Sequence, residues 1–253
     1  MSTWTSKANA AALFLTALLT ACGGVGPLRP QGPPPMRQIA VTSDEVIVTG
    51  PRGFCVDPTS TEERADTAFV LLGNCAVISD RRGEAQPQVQ AVLTASVSEA
   101  GLGQSLRESI PELDRFFRSQ EGRQLLSRGG DPGSVEIIDS FFQGDVYYLH
   151  ARDTSAGEID DVSEVYWRSY LDVGPRIATL TVLETEAETD GSEHGLAALQ
   201  SFTNAMIAAN AERDPAPVSA VRPVAPAAQP AAAPPSADGT LWNVGLFRRI
   251  MSR

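Results

Sequence analysis

Two histidines and a scatter of carboxylates are the side chains of this 253-residue chain best suited to acid–base or metal chemistry. His150 sits in Val146-Tyr-Tyr-Leu-His-Ala-Arg152, and His194 lies near the start of the last apolar periodic stretch. A nucleophile–His–acid arrangement needs one of them as its base. Neither is accompanied by a Gly-x-Ser-x-Gly elbow, so both read as structural. His150 is expected as a strand residue with a satisfied hydrogen bond, and His194 as a surface residue at a helix end. Asp153, Glu158, Asp160, Asp161 and Glu164 offer enough oxygens for a calcium ion. They lack the spacing of a calcium-binding loop and read as a solvated loop, so neither metal nor cofactor is expected. Lys7 is the only lysine. Beyond it the chain has neither a Schiff-base lysine nor the phosphate-binding lysine of a P-loop, so no nucleotide partner is expected and an ATPase or ion-pump role finds no support.

A further chemistry rests on a cysteine, covalent lipid attachment. Lys7 is followed by an apolar run, Ala8 to Leu19, and then Leu19-Thr20-Ala21-Cys22. A charged start, a short apolar stretch and small residues at its end make a secretory signal over residues 1–21. The run is too short to span a bilayer, which takes about 20 apolar residues. Leu-Thr-Ala-Cys resembles the lipobox of bacterial lipoproteins. That resemblance implies diacylation of Cys22 with fatty chains such as palmitate, cleavage before it and acylation of the new amino terminus. An ordinary signal peptide containing a cysteine is the alternative. In such lipoproteins Asp after the cysteine tends to mark inner-membrane retention. Gly23 stands there, favouring the periplasmic face of the outer membrane. With Cys22 lipidated, Cys55 and Cys75 remain, and an oxidising compartment favours a disulfide between them over two buried thiols.

The elements that must position these residues follow from composition and period. Residues 22–38 are a Gly/Pro tether that makes neither helix nor sheet. The folded domain is expected over 39–212. Val46–Val48 and Phe54–Val56 read as short strands about the turn Gly50-Pro-Arg-Gly53, followed by a polar loop to about Asp66. Ala68–Ile78 and Val89–Val97 read as further strands. Ser105-Leu-Arg-Glu108 and Ser109-Ile-Pro-Glu112 fit the capping-box pattern, predicting a short helical turn, a helix over 110–118 and another over 120–127. Leu113, Phe116 and Phe117 share one face, with Leu125 and Leu126 after them. Strands over 135–142, 145–152, 165–173 and 177–184 form an antiparallel meander. A closing helix from Ser192 to Ala211, capped by Asp190 and Glu193, points Leu199, Phe202, Met206 and Ile207 at the sheet.

This order predicts an α+β domain, a twisted antiparallel sheet flanked by helices. It resembles the Mog1/PsbP-like fold over residues 44–211, which implies an assembly or adaptor role. On the meander, alternation sends Tyr166 and Tyr170 to one face and Trp167 to the other. With Tyr147 and Tyr148 they read as core and cross-strand pairs, or else as the lining of an apolar groove for a lipid or peptide.

Setting aside Lys7 and the net +2 of residues 214–253, the charge of −11 leaves −14 on residues 22–213. So acidic a body does not suit nonspecific nucleic-acid binding. Residues 213–239 are a Pro/Ala linker. It ends in an amphipathic segment, 240–253, in which Trp242, Leu246, Phe247 and Ile250 stand beside Arg248 and Arg249. As a helix these apolar residues form one broad face. The segment docks on its own domain, on a partner protein or on an anionic membrane surface. Together these features predict a non-enzymatic, lipid-anchored envelope adaptor. A carrier of lipid or small hydrophobic ligands is the alternative, and a hydrolase a more distant one.

Overall fold

The computed structural model describes residues 32–43, 46–101, 106–155, 162–185 and 192–211. It is an α+β domain built on one large antiparallel sheet. A hairpin of β1 (Gln38–Val41) and β2 (Val46–Thr49) leads to β3 (Phe54–Val56), β4 (Glu62–Arg64) and β5 (Thr67–Asn74). After α1 (Cys75–Ser79) comes β6 (Ala91–Val97), then a 3-10 turn at Leu106–Ser109, α2 (Ile110–Arg118) and α3 (Gln120–Leu126). The meander is β7 (Val135–Gln143), β8 (Val146–Asp153), β9 (Val162–Val173) and β10 (Arg176–Thr185), and α4 (Ser192–Asn210) closes the domain. Strand order across the sheet is β3-β5-β6-β10-β9-β8-β7, with β4 also on β5. The chain therefore crosses one sheet face from β6 to the far edge, and the meander walks back until β10 pairs with β6.

Each sheet face carries its own core. On one, Leu199, Phe202 and Met206 of α4 are fully buried against Leu180, Val182, Leu93, Val70, Trp167 and Leu171, and the β1–β2 hairpin adds Val41, Val46 and Val48. On the other, Leu113 and Phe117 of α2 and Leu126 of α3 cover Val135, Tyr147, Leu149 and Tyr170. The alternation expected for Tyr166, Trp167 and Tyr170 is what separates these clusters.

Several expectations are corrected. The strand expected over 68–78 stops at Asn74, whose side-chain oxygen accepts from the Ala76 N–H and starts α1. Asn is a strong helix N-cap and overrides the β-prone run. The polar loop after Asp57 contains β4, whose three residues are all exposed and carry no apolar pattern. Residues 32–37, expected as tether, run beside the domain, with the Met36 carbonyl accepting from the Val56 N–H at 2.8 Å. Ser109 makes no side-chain capping bond, whereas Ser119 caps α3 by accepting from Gly122 N–H at 3.1 Å. Ser105 and Asp190 lie outside the described residues. Ile207 is 45 % exposed and does not join the α4 stripe.

Two contacts fix α4. Asn210 accepts from Ile47 N–H and donates to the Ile47 carbonyl, both at 2.9 Å, pinning β2 to the helix end. Gly195 lies so close to the sheet that a Cβ there would collide with the Glu184 carboxylate and come within 2.9 Å of Trp167.

Candidate functional site

Cys55 and Cys75 form a disulfide with a Cα–Cα separation of 4.8 Å, within the span such a bond needs. Cys55 is on β3, and Cys75 opens α1 just past β5, the strand that pairs with β3. Gly53, at φ +95°, brings its carbonyl to the Cys75 N–H at 2.9 Å, a conformation that L side chains rarely adopt. Cys22 and the segment carrying Trp242, Leu246, Phe247, Arg248, Arg249 and Ile250 lie outside the described residues.

The aromatic side chains of β8 and β9 form a band on both faces of the sheet. On the α2 side Phe117 stacks on Tyr170 at 4.9 Å and on Tyr147 at 5.9 Å. On the α4 side Phe141 stacks on Tyr148 at 5.1 Å, and His150 lies flat on Trp167 at 4.1 Å. His150 is 8 % exposed, and its buried Nε2 has no hydrogen-bond partner among the described residues. The expected satisfied hydrogen bond is therefore corrected at that atom. Burial pushes the imidazole below its ordinary value; Asp139 across on β7 opposes this and Arg152 adds to it. The ring is neutral at pH 7 and is held by stacking rather than by an acid partner. His194 is an exposed residue in the first turn of α4, as expected.

The acidic cluster is not a calcium loop at its first member. Asp153 is fully buried at the end of β8 and accepts from the Arg128 N–H at 2.6 Å, the Ser134 hydroxyl at 2.6 Å and the Ser155 N–H at 3.0 Å. The Arg128 guanidinium adds an ion pair at 3.4 Å. Burial raises the Asp153 pKa, but these hydrogen bonds outweigh it and hold the carboxyl below the usual range. Glu164 is exposed on β9, and Glu158, Asp160 and Asp161 lie outside the described residues. No group of three or more metal-ligating side chains occurs among the described residues.

No protein-family model, curated protein or solved structure matches this chain.

Two polar arrangements were not visible in the sequence. Asp114 of α2 accepts from the Ser140 hydroxyl at 2.7 Å and the Tyr147 hydroxyl at 2.9 Å, and pairs with Arg118 at 3.0 Å. Arg118 also donates to Ser140 at 2.7 Å, which ties α2 to the outer strand β7. Burial lifts the Asp114 pKa, and the bonds from Arg118, Ser140 and Tyr147 bring it below the ordinary value. Further in, Arg168 is only 5 % exposed, donates to the Thr181 hydroxyl at 3.0 Å and lies 4.9 Å from the Tyr166 ring centre. Burial opposes its charge, while Tyr170, Tyr166 and Asp153 favour it, and the net effect is upward. By alternation Arg168 shares a face with Tyr166 and Tyr170, and the position of α2 and α3 over that face is what buries it.

The groove expected between sheet and helix is filled on the α4 side by Leu199, Phe202 and Met206. Among the described helices, α2 and α3 contribute to the opposite face a core over β7, β8 and β9. The partly buried Phe69, Leu71, Ser96 and Thr179 lie on β5, β6 and β10, beyond that core.

Proposed function

We propose that this chain is a lipid-anchored envelope protein that acts as a non-catalytic adaptor or assembly factor. The reading rests first on Leu19-Thr20-Ala21-Cys22 at the end of a charged and apolar leader. The Cys55–Cys75 disulfide supports it, since such bonds persist in oxidising compartments. No described helix is long and apolar enough to cross a membrane, and lipid on Cys22 would supply attachment of the multi-chain kind that stable anchoring needs. Gly23 favours the outer membrane on its periplasmic side. The resemblance to the Mog1/PsbP-like fold, read from the order of elements in the sequence, would imply an assembly role and assigns no residue. The arrangement of His150, stacked rather than hydrogen-bonded to a hydroxyl and a carboxylate, supports a binding role over a hydrolytic one.

Intact-mass analysis of the protein from membrane fractions tests the anchor. The expected species starts at Cys22 and carries fatty acyl chains, and Cys22→Ala releases the domain from the membrane. A different amino terminus, or a bare thiol at Cys22, overturns the reading. Affinity capture of the full mature chain from membrane extracts tests the adaptor role: a specific co-purifying envelope protein is expected, and capture of none counts against the reading.

A further inference from the structure

We propose that residues 241–250 of this same chain dock along β7 as an added strand, completing the outer edge of its own sheet. This goes beyond the adaptor reading and needs nothing of the lipid anchor. Among the described residues β7 pairs only with β8, so its other side carries no neighbouring strand there, and of its amides the Ser140 N–H turns to the Asp139 carboxylate at 2.8 Å. Such an edge presents N–H and C=O groups that another extended segment can take up. Its side chains describe the occupant. Ile138, at the bulge between Ile137 and Asp139, is 45 % exposed, and Phe141 and Phe142 are only partly buried. Glu136 and Asp139 are exposed carboxylates. Asp139 has no ion-pair partner among the described residues, and Glu136 meets only the exposed Arg152, at 3.4 Å. An apolar, cationic strand fits that edge.

The tail has this character. When extended, Trp242, Val244, Leu246, Arg248 and Ile250 fall on one face with a period of two. Aromatic and β-branched residues such as Trp242, Val244 and Ile250 favour strands. Residues 241–253 carry Arg248, Arg249 and Arg253 and no carboxylate, opposite a body of net charge −14. Reach also fits. Gln200 of α4 donates to Gln143 at the end of β7 at 2.9 Å. Asn210, ten residues further along, is about 15 Å from that point along the helix axis. The roughly 30 residues between α4 and Leu241 have a root-mean-square span of about 30 Å if flexible. A tether of that length holds the tail near β7 at roughly millimolar effective concentration, which favours its own domain over a second copy or a partner in solution.

The test uses the full mature chain in detergent, with a benzophenone side chain in place of Val244, followed by peptide mapping of the photoproduct. Cross-links within one chain to residues 136–143, in a yield independent of protein concentration, are expected. In parallel, β7 amides are expected to exchange at least tenfold more slowly in the full chain than in one ending at residue 239, with β9 amides unchanged as a control for folding. Val244→Pro with Leu246→Pro, both outside the described residues, should remove that protection, and 1 M salt should reduce it. Cross-links between chains, to lipid or elsewhere on the domain overturn the proposal, as does equal exchange of β7 in the two chains.

Discussion

At Asp153 three donors and a guanidinium converge on one buried carboxylate, joining the end of α3, the start of β7 and the end of β8. Asp153→Asn replaces one acceptor oxygen by a donor and removes the charge facing Arg128. A loss of about 3 kcal/mol is expected in urea unfolding, because partners of a buried charge are left unsatisfied. The same groups set the pH response. Asp153 and Asp114 are held below the ordinary 3.8, so their contribution is complete above that value and fades as pH falls through their folded values, where the native state must take up protons. His150 acts earlier. Its folded value lies below 6.5, so the unfolded chain protonates first and stability declines as pH drops beneath about 6.5. His150→Phe keeps a flat ring on Trp167. It should abolish the stability slope between pH 7 and 5 while leaving the acid loss below pH 4, as read by urea midpoints across that range.

The elements hold together through contacts that single residues control. Asn210→Ala strips the bonds that pin β2 to α4 and leaves the Ile47 N–H and C=O without them, which should cost about 2 kcal/mol in chemical denaturation. Gly195→Ala drives a methyl group into Glu184 and Trp167, and a lowered thermal midpoint is expected despite the higher helix propensity of Ala. Elements were legible in the sequence wherever apolar period and turn chemistry agreed. The β7–β10 meander, with its turns at Gly144 and Gly174, and the paired helices divided at Ser119 follow the pattern to within one residue at each end, except that β9 starts three residues early, at Val162. Where periodicity carried no information, the reading failed. Glu62–Arg64 form a strand on β5 with no apolar pattern, Asn74 ends a run that hydrophobicity would continue, and Ile207 falls beside the buried stripe of Leu199, Phe202, Met206 and Asn210 rather than on it. Asp153 looked like the start of a solvated loop because two of its donors, Ser134 and Arg128, lie 19 and 25 positions earlier.

For the molecule as a whole, the disulfide is the one covalent cross-link, among the described residues, between the first strands and α1. Reduction should lower unfolding stability by about 3 kcal/mol, from the chain entropy of a closed loop of about 20 residues, and steepen the urea dependence as the unfolded state expands. The candidate sites were legible unequally at this scale. Cys22 and the tail announce themselves by composition, whereas an open β7 depends on which strand ends up outermost, a property no local stretch encodes. Strand order also governs how the domain can be made. During synthesis β5 and β6 emerge together, but the neighbour that β6 needs, β10, lies beyond residues 98–175. Until that partner arrives, the ladder groups of Ala91–Val97 on the side away from β5 stand bare, and the first half of the domain waits with a sticky flank. Such long-range closure makes for slow maturation and exposure to self-association. A nascent chain stalled before Arg176 should therefore be the most aggregation-prone and protease-sensitive stage of its life.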